Sequence, residues 1–158
     1  MNKRFTAKNI AIFLALFFLL IQSFRIDKTI TAVDPAKDFI TLTSANAEVG
    51  NTLKIACYDC HSNQPAFPWY TNIAPVSWWI KHHIDEGSHH LNFSEWGTYS
   101  DKKKNHKLEE CIEMVEEGEM PLVSYTKMHK EAKLTDAQKL QLVEFFKAVK
   151  ERVPSEGN

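Results

Sequence analysis

The stretch Cys57-Tyr58-Asp59-Cys60-His61 has the C-x-x-C-H spacing that attaches a c-type haem. Two thiols three positions apart can add to two vinyl groups along one porphyrin edge, and the histidine that follows can give the iron its proximal imidazole. The motif predicts one covalently attached haem c, held by Cys57, Cys60 and His61. A bare C-x-x-C also fits zinc or a dithiol redox site. Zinc takes four ligands, usually from a second pair, and the chain has no second C-x-x-C. A thioredoxin-like dithiol wants a βαβ setting, which the flanking residues do not show.

Outward from the motif the pattern is helical. Val49, Leu53 and Ala56 recur at i, i+4 and i+7, predicting a short helix that runs directly into Cys57. Ser62 to Tyr70, rich in proline and aromatics, is expected as a stiff loop. Pro75 opens a helix through Trp78, Trp79, Ile80 and Ile84, with Gly87 as its expected stop. Leu108, Cys111, Ile112 and Val115 give a second clear stripe, predicting a helix from about Asn105 to Glu117 with Gly118 at its C-cap. Thr135 and Gln138 form a capping-box pattern ahead of Leu142, Phe145, Phe146 and Val149. No segment alternates in the manner of a strand. The expected fold is all-α, a helical domain over residues 46–152 with loops that a haem fills and a short tail at 153–158.

The N-terminus has its own polarity. Lys3, Arg4 and Lys8 precede an unbroken apolar run, Ile10 to Ile21, followed by Gln22, Ser23, Phe24 and Arg25. Residues 1–26 are therefore a membrane anchor or a signal segment. Twelve apolar residues are short for a span of about 20, which favours a signal peptide. The nearest A-x-A-like site, Ala45-Asn46-Ala47, lies too far downstream for a usual cut, which favours an uncleaved anchor with its positive end cytoplasmic. The expected location is the inner membrane facing the periplasm, with secretion after cleavage as the alternative. Export agrees with haem attachment, which takes place outside the bacterial cytoplasm. Residues 27–45, mixed and polar, are expected as a tether.

Charge excludes one class of partner. Residues 1–25 hold four basic groups and no acid, so the remainder carries 15 basic and 20 acidic groups, or −5. Such a surface argues against nucleic acid and suits redox partner proteins with basic faces, in or near the membrane. No G-x-S-x-G context and no glycine-rich phosphate loop occurs. Cys111 has no motif around it, and its helical neighbours predict burial.

An electron-transfer haem needs a second axial ligand. Met120 is the strongest candidate, because it follows Gly118-Glu119 beyond a helix end and is stiffened by Pro121. Met114 sits inside a helix beside the apolar stripe and is more simply core, whereas Met128, in a later loop, or a histidine remain alternatives. His82 and Glu86 are one helical turn apart and, with His89 or His90, are a weak candidate for a second metal site. Trp69, Tyr70, Trp78, Trp79, Phe93 and Trp96 are expected around a flat cofactor, or as an aromatic core that exists without one.

Taken together, CYDCHSN, PWYTNIAPVSWW, HLNFSEW, HKLEECIEMVEEGEMP and SYTKMHKEAKLTDAQK resemble the haem-binding domain family of small, N-terminally hydrophobic bacterial proteins. The resemblance covers about residues 50–150 and implies a cytochrome c-like helical fold with haem on Cys57, Cys60 and His61. The E-M-P context of Met120 is similar to the sixth-ligand loop of monohaem cytochromes c. The function expected is an anchored or periplasmic electron carrier with His61 and Met120 as axial ligands, more an electron-transfer protein than an enzyme. A haem enzyme or sensor with a displaceable sixth ligand is the alternative.

Overall fold

Helices make all of the regular structure among the described residues, 6–154 of a computed structural model. Lys3 and Arg4 of the basic N-terminus and residues 155–158 of the expected tail lie outside the described residues. The first helix, α1 (Ala7–Ile21), carries the apolar run, and its side chains are exposed all round. Its 15 residues extend about 22 Å at ~1.5 Å per residue, less than a hydrocarbon core of about 30 Å. Among the described residues no helix is long and apolar enough to cross a membrane.

Residues 27–45 are not a free tether. The Asp38 carboxylate accepts from the backbone N–H groups of Ile40 and Thr41, and so starts α2 (Phe39–Thr43). Phe39 is 0% exposed and is the hub of the core: its ring lies 4.9 Å from Phe93, 4.9 Å from Trp96 and about 6 Å from Phe145 and Phe146. The backbone before it is fastened too. Gly97 N–H donates to the Lys37 carbonyl at 2.9 Å, and a Cβ on Gly97 would lie 3.0 Å from the Lys37 Cα. Five residues with Phe39, Ile40 and Leu42 in a polar setting are too short a run to show a helical period.

Asn46 caps α3 (Ala47–Ala56) through the Val49 N–H, and the expected face of Val49, Leu53 and Ala56 is buried. A single turn, α4 (Tyr58–His61), continues it through the motif. The next helix, α5 (Val76–His90), starts after Pro75 as expected but runs on through Gly87. Gly87 is not a stop. A Cβ there would meet the Cys60 carbonyl oxygen at 2.7 Å and the Cys60 Cβ at 3.1 Å, so the residue is hydrogen-only because α5 crosses the motif there.

Ser100 caps α6 (Asp101–Glu117), a turn longer than predicted, and Gly118 ends it in the left-handed region at φ 77°. Met128 lies not in a loop but at the end of α7 (Val123–Met128). The capping box of Thr135 and Gln138 is present at the start of α8 (Asp136–Arg152), whose Leu142, Val143, Phe146 and Val149 are buried. α6 and α8 pack as the main pair. Together with α2, α3 and a 3-10 turn at Phe93–Thr98, they enclose one aromatic and aliphatic core.

Candidate functional site

The motif is a helical turn held on both sides. Cys57 N–H donates to Leu53, while Cys60 and His61 N–H groups both return to the Cys57 carbonyl, at 3.2 and 2.9 Å. That turn brings the two thiols to one side, three positions apart. Behind it, Tyr58 stacks on Phe93 at 5.3 Å and 8°, and the Tyr58 hydroxyl donates to Asp38 at 3.1 Å. The helix that looked like a tether therefore buttresses the motif.

His61 is positioned by α5. Its Nδ1 lies 2.9 Å from the Gly87 carbonyl and 3.1 Å from the Leu91 carbonyl. Two acceptors at Nδ1 require the proton there, which leaves the Nε2 lone pair free; among the described residues nothing bonds Nε2. Burial, the largest influence, holds the imidazole pKa below its usual value against the raising effect of the two carbonyls. A neutral ring with a fixed tautomer is what a metal-binding histidine needs.

The thiols are likewise kept neutral. Burial, and then the neighbouring Cys60, pushes the Cys57 thiol up to about 12; burial and Asp59 push Cys60 up to about 11. All three cysteines are free, and Cys111 is partly enclosed on the core side of α6, where burial raises its pKa above the ordinary thiol range.

Beside Cys60 lies a cavity of about 330 Å³ with an almost wholly apolar lining. One wall is the α5 stripe of Val76, Trp79, Ile80 and Ile84; facing it are Leu122, Tyr125 and Met128, with Pro68 and Tyr70 closing a side. Of its polar residues, Asp59, Tyr70, Tyr125 and His129 are linked in pairs, whereas His83 turns its Nδ1 to the Trp79 carbonyl. Asp59 accepts from the Tyr125 hydroxyl at 2.7 Å and from the Ala66 N–H at 3.1 Å. Tyr70 hydrogen-bonds His129 Nε2, and the His129 ring stacks on Tyr125 at 4.3 Å. Burial and the Asp59 contact raise the Tyr125 hydroxyl above the normal phenol range. These bonds join the motif, the 66–70 loop and α7 around one opening.

The expected site residues separate into two groups. Cys57, Cys60 and His61 share one turn, with Cys60 on the cavity. Met120 is half-buried just past the Gly118 cap, with its N–H on the Met114 carbonyl at 3.0 Å; Leu122, two residues on, lines the cavity, but Met120 does not. Met128 and His129 do line it. The expected aromatic shell also divides: Phe93 and Trp96 are core, Tyr70 and Trp79 face the cavity, and Trp69 and Trp78 stand outside it. The carbonyls of Gly87 and Leu91 were not legible as site atoms, since backbone acceptors leave no mark in a sequence. Glu86 approaches His90 at 3.8 Å, yet no group of three or more metal-ligating residues gathers among the described residues.

The donor set suits haem on its own chemistry: a neutral imidazole with Nε2 free, two un-ionised thiols on one turn, and an adjoining apolar cavity within the size range of cofactor sites. Fold and site thus define an all-helical domain organised around a haem-ready motif. The chain belongs to the haem-binding domain family, whose model matches residues 16–148. No curated protein and no solved structure shows significant similarity to the chain.

Proposed function

We propose that the protein is an exported c-type haem protein that carries electrons, with haem joined to Cys57 and Cys60 and His61 as the proximal ligand. The observation that carries the reading is the pair of backbone carbonyls on His61 Nδ1. An imidazole serving only the core would not need its second nitrogen left bare. Haem bound here supplies a one-electron ferric/ferrous couple. The chain's part is to fix the ring through Gly87 and Leu91, exclude water with the α5 wall, and keep both thiols protonated until they are used.

Met120 is the proposed sixth ligand, on the loop two residues ahead of the cavity wall. Met128, 62% exposed and already at the cavity, is the alternative sulfur. A thioether opposite an imidazole raises the potential and suits a carrier, whereas an open position suits the alternative of a haem enzyme or sensor. Protein made in a host that assembles cytochromes is expected to retain its pigment through acid extraction and to give a low-spin ferric spectrum. Met120→Ala is expected to lower the reduction potential and admit carbon monoxide. The same changes in Met128→Ala alone transfer the ligand role. A high-spin, peroxide-reactive wild type points to the enzyme or sensor, and a colourless chain ends the proposal.

A further inference from the structure

The segment that leaves the apolar helix is strapped to the haem domain. The Gln22 side-chain amide pairs with Ala74 as a peptide would, donating to its carbonyl at 3.1 Å and accepting from its N–H at 2.9 Å. Trp78 Nε1 donates to the Phe24 carbonyl and Arg25 to the Asn72 carbonyl, both at 2.9 Å. Lys28 Nζ reaches Thr71 Oγ1 and Asn72 Oδ1, both at 2.8 Å. These six bonds tie residues 22–28 to residues 71–78, so the helix end has a fixed place on the domain.

Around that strap the surface is apolar. Phe24 is 64% exposed, Trp69 71%, Ile73 36% and Trp78 39%. Trp79 and Val76 are also exposed, but they line the cavity and carry no weight here. The other four do not line it, and each is hydrogen-bonded within the strap or lies within a few residues of a strap partner. Indole rings with one apolar edge and one polar group favour the headgroup level of a bilayer, and cationic Arg25 and Lys28, with Asp27 between them, sit at the same level. The family match also begins inside the apolar run, at residue 16, so the last six of the 15 residues of α1 belong to the matched domain.

We infer that Phe24, Trp69, Ile73 and Trp78 form a bilayer-docking face, continuous with α1, that holds the domain flat against the membrane. The inference rests on the reading of α1 as a retained membrane segment. A domain held this way does not swing on a leash. Val76 and Trp79 of the cavity wall belong to the same stretch of chain as the docking residues Trp69, Ile73 and Trp78.

Vesicles of phosphatidylcholine containing a phospholipid with a photoactivatable diazirine near the headgroup test it, with the full-length holoprotein and peptide mapping. Label is expected on residues 69–78 as well as on α1, and not around exposed Leu140 on α8. The triple variant Gln22→Ala, Arg25→Ala, Lys28→Ala should still sediment with vesicles and keep its haem spectrum, while label at 69–78 falls about fivefold relative to label on α1. Label confined to α1 in the wild type overturns the docking face and leaves the anchor intact. Equal label at 69–78 in the triple variant overturns the strap as its cause. Concentration-dependent cross-linking between copies through Trp69 or Trp78, without lipid label, assigns the face to a second copy and overturns the inference. Failure to sediment with vesicles overturns both the anchor and the face, and haem binding is read separately from the visible spectrum.

Discussion

The two sides of the C-x-x-C-H turn are built on opposite principles. Every member of the connected buried core comes from residues 39–56, 91–115 or 134–149; none comes from 57–90 or 116–133. The rear side is a filled aromatic core around Phe39, and the front side is a wall around a cavity, with Trp69, Met128 and Val123 left open to solvent. The difference teaches which contacts hold the fold and which only border an open space. His61 sits where the two meet, bonded to the Gly87 carbonyl of the front and the Leu91 carbonyl of the rear.

Phe39→Ala tests the rear side most severely. Truncating a fully buried phenylalanine costs about 3–5 kcal/mol, read as a shift in the denaturant midpoint; an unchanged midpoint would restore the tether reading of residues 27–45. Gly87→Ala acts where the two sides meet. Its Cβ would press on the Cys60 carbonyl at 2.7 Å, an overpacking penalty of about 1–3 kcal/mol. The haem spectrum should change as well, because the carbonyl that orients His61 must shift.

A pH series separates the sides by chemistry. In the chain without haem, Cys57 and Cys60 ionise at about 12 and about 11 when folded and near 8.5 when unfolded. The unfolded chain therefore holds fewer of these protons above about pH 8.5, and stability falls as pH rises through that window. Thioether formation removes both titrations, so the holoprotein should keep a flatter urea midpoint between pH 8 and 10; parallel curves for the two forms would contradict attachment at these thiols. The smallest effect belongs to the front wall. Tyr125→Phe removes the bond to Asp59 and should cost about 1 kcal/mol, read as a shift in the urea midpoint, while the pigment kept through acid extraction should not change if thioethers hold it.

Much of the rear side was legible in the sequence, because helices that bury one stripe repeat it. The faces of α3, α6 and α8, the Gly118 cap and the Thr135–Gln138 box all followed from spacing. What escaped was non-periodic: a five-residue helix at Phe39, and a glycine whose purpose is closeness to another backbone rather than a stop. The motif itself was plain. Its surroundings were not, since Asp59, Tyr70, Tyr125 and His129 come from three separate stretches and meet only by folding.

Gly87 gives α5 two independent jobs. At its C-terminal end the helix orients the imidazole through the main-chain carbonyls of Gly87 and the following Leu91, so the placement needs the absence of a side chain at position 87 rather than any side-chain donor. Toward its start, Val76, Trp79, Ile80 and Ile84 shape the cavity wall and take no part in the bonds to His61. Substitutions that change the bulk of that wall should therefore reshape the cavity while leaving the orientation of the His61 ring in place.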